Sequence, residues 1–216
     1  MSIAILGIKI GMTRLYDEKG AVHTVTVVKA EPNVVIQNKT TEKDGYNAVK
    51  IATIDQKESR LTKQVQGIYK KTGVTPKRVM REFRTPEAPT FNIGDNLSVD
   101  QFSPGQFVDV IGISKGYGFQ GVVGRYKFAG GGAAHGSKTH RRAGAIGQRS
   151  TPGRIFKNHR MPGHMGRVRR TIQNLQVFQV RPNDNVIIIT GNLPGSNGDM
   201  IVIRNAKKKP AVQEKK

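Results

Sequence analysis

The chain has 216 residues, 36% of them hydrophobic, and sets 36 Lys and Arg against 15 Asp and Glu, a formal charge of +21. It has no Cys, which excludes disulfides and thiolate metal sites, and no apolar run approaches the ~18 residues of a membrane span. A charge of this size needs a polyanion, and with the membrane reading weak that polyanion is nucleic acid.

Taken in chain order, the first elements are short β-type runs separated by turn residues: Ile3 to Ile10, Val22 to Lys29, Asn33 to Asn38 and Tyr46 to Ile54. The opening run, Met1 to Gly11, lacks the charged leader and long apolar core of a secretory signal. Ser59 to Lys71 breaks the pattern, because Leu61, Val65 and Ile68 recur about one helical turn apart and Gly73 follows as a stop. It is predicted as a single helix with a basic outer face, in an insert over about 55–95. Asn96 to Val99 and Phe107 to Ile113 return to strand.

From there to Asp184 the composition changes. Residues 110–183 contain no Asp or Glu, 14 Lys and Arg of which ten are Arg, 14 of the 25 Gly and four of the five His. Apolar periodicity is too poor over most of this window for an independent core, which is reasonable where RNA supplies the packing. Strands resume at Ile172 to Val180, Val186 to Thr190 and Met200 to Arg204. The predicted class is mostly β. A barrel-like body of 1–113 together with 170–206 carries one inserted helix, 114–169 forms a long, basic, Gly-rich extension, and 207–216 is a disordered basic tail.

Three sharper readings of the window fail on chemistry. Gly116-Tyr117-Gly118-Phe119-Gln120-Gly121 has the glycine spacing of a dinucleotide turn and follows a strand, yet no acid for a ribose occurs before Asp184. His135, His140, His159 and His164 lack Cys or carboxylate partners and sit among cations that repel a divalent ion, so no metal site is expected. With no carboxylate to orient a His, catalysis is not expected either, nor are a cofactor and a small-molecule substrate. What remains is RNA binding. Arg141, Arg142, Arg149, Arg154, Lys157, Arg160, Arg167, Arg169 and Arg170 recur every few residues to neutralise phosphate, Gly permits close approach, and Tyr117 and Phe119 offer stacking faces.

The chain resembles the universal large-subunit ribosomal protein three family in its bacterial or organellar form. The likeness begins at Gly7-Ile8-Lys9-Ile10-Gly11-Met12-Thr13 and runs through Asp44-Gly45-Tyr46, Arg81-Glu82-Phe83-Arg84 and Ser114-Lys115-Gly116-Tyr117-Gly118-Phe119-Gln120-Gly121. It is densest at His135-Gly136-Ser137, His140-Arg141, Gly144-Ala145-Ile146-Gly147-Gln148, Thr151-Pro152-Gly153-Arg154 and Met161-Pro162-Gly163-His164-Met165-Gly166. The resemblance implies a barrel body near the subunit's solvent side and an extension threaded between ribosomal RNA helices toward the peptidyl-transferase centre. It implies an early assembly role, and large-subunit proteins fourteen and nineteen as neighbours. The tip would be Gln148, Arg149, Ser150, Thr151, Pro152 and Gly153, with Ser150 standing where some members carry a methylated glutamine. Lys9, Lys115, Arg125, Lys127, Lys138 and the four window histidines join the expected RNA contacts. The location implied is the cytoplasm, within the ribosome, or an organelle interior. Composition alone also fits a free RNA-binding or chaperone-like protein, which would wash off ribosomal subunits where a built-in component stays.

Overall fold

The computed structural model describes residues 3–209 and divides them into two units, 3–113 with 169–209 and Ser114–Val168. In chain order the elements are β1 (Ile5–Tyr16), β2 (Val22–Lys29), β3 (Asn33–Lys39), α1 (Thr41–Asp44), β4 (Ala48–Asp55), α2 (Lys63–Thr72), β5 (Lys77–Arg84), β6 (Asn96–Leu97) and β7 (Phe107–Ile113). Then come β8 (Gly116–Gln120), α3 (Val122–Tyr126), β9 (Gly163–Gly166), β10 (Arg169–Arg181), β11 (Val186–Thr190) and β12 (Met200–Asn205). Strand dominates, as the β-branched runs require.

In the first unit six antiparallel strands close a barrel-like ring in the order β1-β12-β7-β10-β11-β2. The residues that line its core alternate along each strand, as a period of two dictates: Val108 and Val110, Ile187 and Ile189, Ile201 and Ile203 are all buried. Burying each such side chain contributes roughly 1.5–3 kcal/mol. A second sheet, β5-β4-β3-β6, shares that core through Val35, Val49 and Ile51 on one face. Its other face takes Leu61, Val65, Ile68 and Tyr69 against Ile36 and Ala52. Gly73 caps α2 at φ +69°, a left-handed position that suits glycine.

Several expectations change. The helix starts at Lys63 rather than Ser59, because Glu58–Arg60 makes a separate 3-10 turn and Leu61 and Thr62 are extended. Among the described residues it is one of three α-helices, although α1 and α3 are single turns of four and five residues. β5, which reads Lys-Arg-Val-Met-Arg-Glu-Phe-Arg, was not expected as a strand: its three arginines are exposed while Val79 and Phe83 join the ring core and Met80 packs beside α2. The expected strand at Asn96 to Val99 shrinks to two residues because Val99–Gln101 turns into a 3-10 helix. Residues 210–216 of the expected tail lie outside the described residues.

Candidate nucleic-acid interface

Ser114–Val168 forms a unit whose two ends are tied together. Ser114 N donates to Val168 O at 2.9 Å, and Val168 N donates to Ser114 Oγ at 3.3 Å. β8 and β9 then pair antiparallel, with Gly116 opposite Gly166 and Phe119 opposite His164. Glycine is required at 166, where φ is +78° and a Cβ would run into Lys115 O. Past β8 the chain makes α3, whose Val122 is the one buried residue of the whole unit. No element of regular structure covers 127–162.

Short-range bonds shape that stretch. His140 Nδ1 lies 2.6 Å from Gly132 O, and since a carbonyl can only accept, this nitrogen carries the proton. Gly131 N returns the bond to His140 O at 3.1 Å, so a Gly-rich loop closes on its own histidine. Arg125 has a similar internal duty. Its Nη1 donates to Met161 O at 2.9 Å, its guanidinium lies 5.0 Å from the Tyr126 ring centre, and Arg160 lies 5.6 Å from the same ring. A Cβ at Gly163 would collide with Arg125 Nη1, so glycine there makes room for the arginine.

The remaining expected contacts face outward. Lys115, Lys127, Lys138, Arg141, Arg142, Arg149, Arg154, Lys157, Arg160 and Arg167 are exposed, as are His135, His140, His159 and His164. Tyr117 and Phe119 are 58% and 75% exposed, far beyond what a core aromatic shows. At the expected tip, Gln148, Arg149, Ser150, Thr151 and Gly153 are exposed and Pro152 is half-buried, with Gly153 at φ +67° turning the chain. The four histidines take part in no cluster of metal-ligating side chains among the described residues.

Three positions fall elsewhere. Arg169 and Arg170 lie on β10, paired with Ile113 and Gly112, and so belong to the ring. Lys9 is buried: its Nζ donates to Leu193 O at 3.0 Å and Gly195 O at 3.3 Å, which holds the ammonium in the body's own loop. Arg78, Arg81 and Arg84 on β5 are exposed cations that the sequence reading passed over, and their three-residue spacing follows no strand period that would have marked them.

Electrostatics separates the two units more sharply than shape. The ion pairs among the described residues are His23–Asp17, Lys29–Glu31, Lys39–Glu82, Lys70–Glu58, Lys77–Asp55 and Arg204–Asp109, and all lie outside Ser114–Val168. The 11 Lys and Arg of 114–168 face no acid in that segment.

The model of the family described as ribosomal protein L3 matches residues 88–192. The large ribosomal subunit protein uL3 of Akkermansia muciniphila is 52% identical over 212 residues, covering 97% of this chain and 100% of the relative. The chain belongs to the uL3 family, in its bacterial form. A second uL3, from Deinococcus radiodurans, is 49% identical over 210 residues and covers 97% of each chain. The family match spans the strands on both sides of Ser114–Val168.

Proposed function

We propose that this chain is a structural RNA-binding component of the large ribosomal subunit and performs no catalysis. The observation that carries this reading is a unit of 55 residues, Ser114–Val168, with 11 cations, no acid, no ion pair and a single buried residue. Such a segment cannot repay its ordering entropy from its own contacts, so a partner must provide both packing and countercharge. Ribosomal RNA provides both. The relatives' name, large ribosomal subunit protein, supports the same partner.

On this reading Ser114–Val168 is an extension that penetrates RNA. Its tip, Gln148 to Gly153, lies toward the peptidyl-transferase centre and acts by packing and positioning, since it offers no carboxylate, thiol or oriented base. Arg149 neutralises phosphate or stacks on a base. The body binds early in assembly beside large-subunit proteins fourteen and nineteen, in the bacterial cytoplasm. The test is sedimentation: the chain should stay on purified large subunits through a moderate-salt wash. Release into the supernatant at that step would instead identify a free RNA-binding protein that samples many RNAs.

A further inference from the structure

We propose that the outer face of α2, with the turn before it and the start of β5, is a second RNA-binding surface, outside Ser114–Val168, that holds the phosphate backbone of ribosomal RNA. Residues 56–78 carry seven Lys and Arg against one acid, Glu58. That net +6 over 23 residues is denser than the +11 over 55 of Ser114–Val168. Two of the seven are spent inside the protein, Lys70 on Glu58 at 3.2 Å and Lys77 on Asp55 at 2.7 Å. Lys57, Arg60, Lys63, Lys71 and Arg78 are exposed and take part in none of the ion pairs among the described residues.

Packing gathers these five cations around the helix. Val65, Ile68 and Tyr69 of α2 pack with Ile36, Ala52 and Met80 of the sheet. This leaves Lys63, Gly67 and Lys71, four residues apart, in a row along the exposed side. Gln66 Nε2 donates to Glu58 O at 2.8 Å and Leu61 O at 3.0 Å, which folds the turn bearing Lys57 and Arg60 against the helix. At the far end Tyr69 Oη donates to Lys77 O at 3.0 Å. The next residue, Arg78, shares the β5 face of Met80 by the strand's period of two, and so flanks α2 as well.

A cationic helix face is ordinarily just a solvated one, and two residues set this face apart. Lys63 stands at the start of α2, where the helix dipole favours an acid, and the first turn has no acid at all. Gly67 occupies the middle of the row, in a helix interior that glycine weakens relative to alanine, and nothing lies within 4 Å of where its Cβ would be. Neither residue serves the helix itself. Together they leave a bare stretch of backbone between two lysines about 12 Å apart along the axis, open to the close approach of a phosphodiester strand. A protein partner is disfavoured, because residues 56–78 expose no large apolar side chain that could anchor one. Lysine and arginine against phosphate need no such anchor, and they position RNA without reading its sequence.

Because the ligand is ribosomal RNA, this surface rests on the ribosomal reading. The experiment is lysine footprinting with acetic anhydride, read by mass spectrometry, on the full-length chain in three states: alone, bound to protein-free large-subunit RNA, and in purified large subunits. Lys57, Lys63 and Lys71 are expected to react roughly tenfold more slowly in both RNA-containing states than in the chain alone, as amines held against phosphate. Protection in the subunit without protection in the complex with bare RNA would mean that another protein covers the face. Unchanged reactivity in the subunit would mean that solvent does. Either result overturns the inference and leaves the ribosomal reading standing. A chain that neither binds the RNA nor enters large subunits overturns both.

Discussion

A lysine in the middle of an apolar run, between Ile8 and Ile10, reads as a surface cation reaching for phosphate. Lys9 is instead 4% exposed, and the two carbonyls that hold its ammonium belong to Leu193 and Gly195, the first of them 184 residues away. No local pattern carries that information, since the pairing is created by closure of the ring. Asn33 is the same kind of residue with a clearer structural role. Its side-chain amide donates to Leu6 O at 3.1 Å and Glu31 O at 2.8 Å, while its Oδ1 accepts from Leu6 N at 3.0 Å. One fully buried side chain thus satisfies three backbone groups where β1 of the ring meets β3 of the second sheet. Asn33→Ala would leave buried amide groups unpaired, and each costs about 1–3 kcal/mol. The expected loss is about 3 kcal/mol of unfolding free energy, read from urea midpoints of the full chain. A change under about 0.5 kcal/mol, the level of an ordinary surface substitution, would show that water replaces the amide at no cost.

At the level of elements, the runs of alternating or continuous Val and Ile were legible. The strands at Val22–Lys29, Phe107–Ile113 and Val186–Thr190 have the bounds the apolar pattern predicts. β5 was hidden by its charges, which are partly neutralised across strands: Lys77 meets Asp55 at 2.7 Å, and Glu82 meets Lys39 at 2.8 Å. The bond from Lys39, followed by that from Tyr46, holds the Glu82 carboxyl below its ordinary value. β8 and β9 were hidden for another reason, since they are built from glycines and paired across a gap that sequence periodicity does not bridge. Arg125 fastens α3 to the approach of β9, a duty the sequence reading assigned to RNA contact instead. Arg125→Lys keeps the charge and gives up the planar guanidinium that both donates to Met161 O and covers Tyr126. The expected result is about tenfold faster hydrogen exchange over Met161–Gly166, equivalent to ~1.4 kcal/mol of local stability. The salt dependence of RNA binding should stay the same, because the number of cations is unchanged. Unaltered exchange over Met161–Gly166 would show that Arg125 holds nothing in place there.

Across the whole molecule, the candidate interface was legible because it is written in composition: a segment without acids needs no fold to be recognised as the polyanion-binding part. Which of its cations remain available for that role was not legible. It depends on bonds such as those of Arg125 and on the six ion pairs that gather the neutralised charges of the first unit. This division leads to a prediction about salt. Each phosphate neutralised releases counterions and contributes a slope of about −0.7 to −0.9 in log affinity against log salt concentration. An exposed cation of 114–168 with no carboxylate partner should contribute fully, and one already paired within the protein should contribute nothing. Arg149 represents the first kind; Lys77, 13% exposed and bonded to Asp55 at 2.7 Å, represents the second. Affinity of the isolated full-length chain for a ribosomal RNA fragment should be measured between roughly 50 and 200 mM salt for the parent, Arg149→Ala and Lys77→Ala. Arg149→Ala is expected to flatten the slope by about 0.7–0.9, the share of one phosphate contact, and Lys77→Ala to leave it unchanged. Equal flattening by both variants would mean that net charge alone governs binding and that the segregation of paired from unpaired cations carries no functional weight. A parent slope near zero would remove the polyelectrolyte basis of the interface altogether.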